Sequence, residues 1–191
     1  MPEAWPSKGV ALCLVVRRSD DPNPCPFLMD MDAISLDELG HTSERHVTIH
    51  GLDSAREAAH DVARLCPLLE SLRLQQSTIA SFRDLGYGLE RLRVLHAARC
   101  AVTDLDGLAS LGVLEELYLP INDVADCAAL ALHETLQVVD FESNRIADCD
   151  SIVALGTCPR LCCLTLHGNP VAGDDSYAQL VADHIPQLEI L

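Results

Sequence analysis

At 191 residues the chain suits one domain of ordinary size, or a short repeat array with a flanking segment. Hydrophobic residues make up 49% of it and aromatics only 4%, so its core must be aliphatic, built from Leu, Ile, Val, Ala and Cys. With 13 Lys and Arg against 29 Asp and Glu the formal charge is −16, a field that repels phosphate backbones and anionic lipid heads and leaves protein surfaces as the natural partners.

Residues 1–31 carry Pro2, Pro6, Pro22, Pro24 and Pro26 and no repeat register, so they read as an irregular extension with a strand through residues 10–16. That apolar run is too short to span a bilayer. It lacks a small-residue cleavage site and is followed by Arg17 and Arg18, which speaks against a signal peptide. The 9 cysteines are odd in number and form no CxxC pair, and adjacent Cys162 and Cys163 are expected on opposite faces of a strand. Reduced thiols and a cytoplasmic compartment follow as expectations.

Residues 32–68 read as an N-terminal capping coil. Val47 and Ile49 mark a degenerate first strand, and residues 53–65 a convex helix. Ser54 and Glu57 supply a capping box there, and Ala55, Ala58, Ala59, Val62 and Ala63 an apolar stripe.

From residue 69 to 171 the pattern LxxLxLxxNxI recurs five times, starting at Leu69, Leu92, Leu114, Leu136 and Leu161. The offsets, 92 − 69 = 23, 114 − 92 = 22, 136 − 114 = 22 and 161 − 136 = 25, fit a leucine-rich repeat. The predicted fold is an α/β solenoid with a parallel concave β-sheet, short convex helices or 3₁₀ turns, and helical caps. Alternating residues such as Leu117 and Leu119 face the core. Asn122, Asn144 and Asn169 turn the chain out of the strand, where a buried amide can satisfy turn backbone of its own and neighbouring coils. Ser77 and Cys100 stand at the same place as weaker substitutes. Four residues further on, Ser81, Asp104, Asp126 and Asp148 read as caps of the convex turn rather than catalytic acids. Cys127 and Cys149 share a register position and read as equivalent small core fillers, with Cys66 and Cys158 as further buried thiols.

Residues 172–191 read as a C-terminal cap: a helix over 175–186 whose Leu180, Val181 and His184 close the core, then a strand-like return over 187–191.

The register alone names a candidate protein-binding face. Its middle row is Arg73, His96, Tyr118, Asp140 and Thr165, flanked by Arg93, Arg99, Glu115, Ile121, Gln137, Glu142 and His167. Charge is graded along it, arginines first and acids later, and Tyr118 and Ile121 at the centre are apolar residues that the core pattern does not require. His46 and His50 share a strand face without a third metal ligand, and neither a nucleophile elbow nor a phosphate loop occurs. No enzyme activity, metal or cofactor is expected, and the chain is expected to be a monomer on its own.

Several stretches exceed what the generic repeat demands: STIASFRDLG over residues 77–86, ARCAVTDLDGL over 98–108, ELY over 116–118, CPRL over 158–161, LTLHGN over 164–169 and IPQL over 185–188. In these the chain resembles the leucine-rich repeat-containing protein 56 family of ciliary and flagellar proteins, with weaker similarity extending the match to about residues 32–191. The resemblance implies a cytoplasmic and ciliary or flagellar protein-interaction adaptor. Its implied role is assembly or intraflagellar transport of outer-arm axonemal dynein, with outer-arm dynein or transport subunits as partners. It also implies a longer C-terminal tail than the one ending at Leu191. The loop after Val171 is short for the family, and Ala97 stands where a larger residue is usual. The rival readings are a general intracellular scaffold or phosphatase-regulator-like subunit, and a structural subunit resembling a dynein light chain.

Overall fold

A computed structural model describes residues 13–16, 45–52, 61–79, 81–85, 88–174 and 176–191. Seven strands form one sheet in chain order: β1 (Cys13–Val16), β2 (His46–His50), β3 (Ser71–Gln75), β4 (Val94–His96), β5 (Glu116–Tyr118), β6 (Val138–Asp140) and β7 (Cys163–Thr165). β1 pairs antiparallel with β2, and every later pairing is parallel. Each connection between parallel strands crosses on the convex side. The crossings carry the helices α1 (Asp61–Leu65) and α2 (Cys149–Ala154) and 3₁₀ turns at Phe82–Leu85, Leu108–Ser110, Ala128–Leu130 and Leu155–Thr157. α3 (Tyr177–His184) follows the last coil.

The strands stay in one register because their apolar residues alternate. Val47, Leu72, Leu95, Leu117, Val139 and Leu164 are Cα partners from strand to strand, and all are buried. Their companions Ile49, Leu74, Ala97, Leu119, Phe141 and Leu166 are buried with them. The repeat's remaining apolar positions, Ile79, Val102, Val124, Ile146 and Val171, close the core from the other side of the turn. Ala97 is wholly buried despite its size. As the composition requires, the core is aliphatic, with Phe82 and Phe141 as its buried aromatics among the described residues.

The asparagines behave as the repeat demands. Asn122 Oδ1 accepts from the N–H groups of Cys100 (2.9 Å) and Val102 (3.1 Å), while its Nδ2 donates to the carbonyls of Ala97 (2.8 Å) and Leu119 (2.9 Å). Asn144 and Asn169 repeat the arrangement one and two coils on, accepting from Val124 and Ile146 and donating to Leu119 and Phe141. Ser77 Oγ does part of the same work by accepting from Leu52 N–H, and Cys100 Sγ reaches the Leu74 carbonyl at 3.7 Å. Among the described residues no buried side-chain nitrogen or oxygen lacks a partner.

Several local expectations change. Residues 53–60, which carry the expected capping box, lie outside the described residues. Asp148 is a true N-cap, accepting from Asp150 N–H at the start of α2. Ser81, Asp104 and Asp126 accept the same kind of bond from residues 83, 106 and 128. The 3₁₀ turns of the middle coils, however, begin behind Gly107 and Cys127. Cys127 is fully buried, whereas Cys149 is half-buried, because its coil uses an α-helix that starts at that residue. In the C-terminal cap Val181 is buried, but His184 is exposed and Ile185 takes the core position instead. His184 lies in the last turn of α3, where its ring packs on the Leu180 carbonyl (2.9 Å), and the chain leaves the helix at Ile185 to enter the core. The expected strand-like return is a parallel bridge of Ile190 to Cys163. Cys162 and Cys163 are free thiols with sulfurs 4.0 Å apart, close because Cys162 lies in the turn just ahead of β7.

The register makes a test of neighbouring residues. Leu117→Ala removes a fully buried side chain and should cost about 2–5 kcal/mol. Tyr118→Ala, on the open face of the same strand, should cost much less. Urea denaturation of the two variants checks this, and equal losses would mean that the register is wrong.

Candidate functional site

The open face of the sheet begins with what parallel pairing does to side chains. Arg73, His96, Tyr118, Asp140 and Thr165 are mutual Cα partners, so they form one continuous row across five strands. Parallel strands lie about 4.8 Å apart, close to the stacking distance of planar rings. His96 and Tyr118 use it: their rings are 4.3 Å apart between centroids and 6° from parallel. The Tyr118 hydroxyl donates to Glu116 Oε2 at 2.9 Å.

A second row on this face is Ser71, Val94, Glu116, Val138 and Cys163, two residues before the first. Sequence reasoning missed it by assigning the flank to Arg93, Glu115 and Gln137, one residue too early. The signal was available, since strand alternation from Leu117 places Glu116 beside Tyr118. The residues at the earlier position form an edge ladder instead. Arg93 Nη2 donates to both Glu115 oxygens at 2.8 Å, and Arg45 pairs with Glu70 at 2.8 Å. Arg93 is raised above the usual guanidinium range, first by its hydrogen bond to Glu115 and then by that carboxylate's charge.

On the turn side stand Arg99, Ile121, Glu142 and His167, all exposed. Between Arg73 and Arg99 lies a shallow groove of about 320 Å³, with Gln75, Gln76, His96 and Ala98 along it. No carboxylate pairs with Arg73 or Arg99 among the described residues. At the other end Asp140 Oδ1 accepts the Glu142 N–H at 2.8 Å.

The residue before each asparagine position adopts a left-handed backbone: Gln76 (φ 49°), Arg99 (55°), Ile121 (58°), Ser143 (54°) and Gly168 (76°). This geometry aims the N–H of Arg99, Ile121 and Ser143 at the next coil, onto the carbonyls of Pro120, Glu142 and His167. A β-branched residue is a genuine outlier at such an angle, and strain of this kind costs on the order of 1–3 kcal/mol. Ile121 also leaves 46% of its surface exposed, so burial offsets the cost only in part.

Titration on the face follows from packing. Burial and the Glu116 carboxylate push the Tyr118 hydroxyl up to about 12. Burial lowers His96, and the Arg73 guanidinium lowers it further. Elsewhere burial lowers His133, which sequence reasoning missed and whose Nε2 donates to the Leu111 carbonyl at 3.1 Å. Burial likewise raises the Cys66 and Cys127 thiols to about 11, which makes them poor nucleophiles. Among the described residues no three His, Cys, Asp or Glu side chains converge as a metal site would require. No described helix is long and apolar enough to cross a membrane.

The repeats on this frame have known counterparts. Human leucine-rich repeat-containing protein 56 is 42% identical over 137 residues, covering 65% of this chain, and the Trypanosoma brucei brucei homolog is 39% identical over 117 residues, covering 60%. The chain matches the leucine-rich repeat-containing protein 56 family through its repeats. The rat member extends the similarity to 73% of the chain at 39% identity. The chain covers only 25% of the human relative and 16% of the trypanosome one. No family model matches. Among solved structures, an internalin C2 of Listeria monocytogenes superposes with a TM-score of 0.57 at 26% identity, covering 71% of this chain and 54% of that one. An internalin of the same organism gives 0.54 at 18%, covering 65% and 34%. These structures establish the leucine-rich-repeat solenoid, a fold generally used for protein interaction.

Two predictions follow from the face. Ile121→Gly should raise stability by about 1 kcal/mol by relieving the left-handed backbone, measured by thermal and urea unfolding; a loss of stability would remove the argument from strain. His96 and His133 have folded values below the unfolded value of about 6.5. The unfolded chain therefore takes up protons first as pH falls, and stability drops below about pH 6.5. His96→Gln should make that drop shallower in urea midpoints taken between pH 7 and 5.

Proposed function

We propose that this chain is a non-catalytic protein-interaction module whose open sheet face, centred on Tyr118 and Ile121, holds a partner protein. The observation that carries the reading is Ile121: an exposed apolar residue kept in a backbone conformation that glycine would satisfy without strain. A strained residue whose burial offsets that strain only in part points to a role outside the fold. The stacked His96 and Tyr118 beside it give a rigid aromatic anchor of the kind that dominates interfaces.

The more specific reading is an adaptor in the assembly or intraflagellar transport of outer-arm axonemal dynein, working in the cytoplasm and the cilium or flagellum. It rests on the similarity to leucine-rich repeat-containing protein 56 and on the family segments carried here, notably residues 77–86 and 98–108.

Affinity capture with quantitative mass spectrometry from ciliated cells tests both levels, comparing wild type with the Arg73→Glu, Tyr118→Ala double variant after circular dichroism shows that the variant is folded. Capture of dynein chains or transport subunits by the wild type, at least tenfold reduced in the variant, is the expected outcome. Retention by the folded variant would remove the binding from this face. Capture of neither class by the wild type would leave a general scaffold as the better account.

A further inference from the structure

Resting on that interaction reading, we propose that the open face recognises a partner segment carrying both a carboxylate and a cationic side chain, set about 14 Å apart across an apolar centre. Most charges around the open face are already spent on one another. Arg93 is bound to Glu115 and Arg45 to Glu70 along one edge of the sheet. Arg145 pairs with Asp123 and Arg83 with Asp106 elsewhere. Glu116 accepts the Tyr118 hydroxyl. At the β3–β4 end Arg73 and Arg99 keep their guanidinium donors unpaired among the described residues, flanking the groove along which Gln75 and Gln76 lie. At the β6 end Asp140 and Glu142 have no cation opposite them among the described residues.

The chain as a whole carries −16, so two uncompensated arginines on its face run against the general field. They make the face dipolar although the chain as a whole is acidic. A purely basic partner would meet repulsion at Arg73 and Arg99, and a purely acidic one at Asp140 and Glu142; opposing charges at an interface select against the wrong occupant. Between the ends the stacked His96 and Tyr118 and exposed Ile121 offer apolar contact. His96 does not confuse the charge order near neutral pH, because burial and Arg73 hold it toward the neutral form, and Glu116 is the carboxylate that opposes them.

Register sets the spacing. Arg73, His96, Tyr118 and Asp140 are partners in sequence along the sheet, which is three steps from first to last. Three steps of about 4.8 Å give about 14 Å, the length of about four residues of extended chain. The partner's acid and base therefore stand about four positions apart, with an apolar residue between them, when the segment lies extended across the strands.

The test uses the full chain and three fluorescein-labelled peptides with a common Val-Leu-Val centre: one flanked by Glu and Lys, one by two Glu, one by two Lys. Anisotropy titrations near physiological salt keep the Debye length at about 8 Å, so local charges outweigh the distant field. The mixed peptide should bind about tenfold more tightly than either other. The Arg73→Glu, Arg99→Glu pair should move the preference to the two-Lys peptide, and the Asp140→Lys, Glu142→Lys pair to the two-Glu peptide. Tightest binding of the two-Lys peptide by the wild type would overturn the proposal, since overall acidity would then suffice. So would a preference unmoved by either pair, or no binding of any peptide up to about 1 mM. Equal binding of all three, lost together in Tyr118→Ala, would sink the charge order and leave the interaction face standing.

Discussion

A buried amide, repeated in the last three repeats, is the interaction on which the rest of the molecule rests. Three-residue strands make too few ladder bonds to hold a sheet by themselves, and the turn that ends each one would bury polar backbone without partners. An unsatisfied buried donor or acceptor costs about 1–3 kcal/mol. Asn122, Asn144 and Asn169 meet several such groups at once, and each spans two coils. Ser77 and Cys100 meet fewer with shorter side chains. The coils are thus tied more firmly toward the C-terminal repeats.

The same turn explains how structure and recognition coexist in so small a repeat. The left-handed Arg99, Ile121 and Ser143 aim their N–H groups at the next coil, a task any residue can perform at some cost in strain. The backbone is over-determined by bonds on both sides, so the side chain there is released from structural duty. Arg99 and Ile121 occupy that position where the face is most distinctive, while the fifth repeat uses Gly168. A Cβ there would come within 3.2 Å of the Ser143 backbone, so packing leaves no such freedom.

Most of the architecture was legible because period-two burial and a 22–25-residue offset are local, redundant signals. The core residues from Leu69 to Val171, the asparagine turns and the row from Arg73 to Thr165 all follow from the pattern. What failed to show depends on packing. Nothing in the sequence distinguishes Cys149 from Cys127 until one coil uses an α-helix and the other a 3₁₀ turn. Helical spacing put His184 in the core, whereas the chain leaves the helix just after it and spends Ile185 there. The Arg93–Glu115 pair was half visible: equivalent positions one repeat apart must be neighbours, yet whether they pair with each other or face a partner depends on side-chain geometry. His133 carried no motif at all.

The two α-helical crossings do more than cover the core. A helix with its side chains is about 10–12 Å across, more than twice the spacing of the strands it follows. α1 and α2 lie where successive strands are offset by 25 residues, from β2 to β3 and from β6 to β7. The crossings between β3 and β6, with offsets of 22 or 23, carry slimmer 3₁₀ turns. Each helix therefore fills more depth behind the sheet than a 3₁₀ turn does. The middle strands, bearing His96 and Tyr118, are the ones backed by the slimmer crossings. Recognition is thereby placed on the strands whose crossings are most alike in length, from β3 to β6.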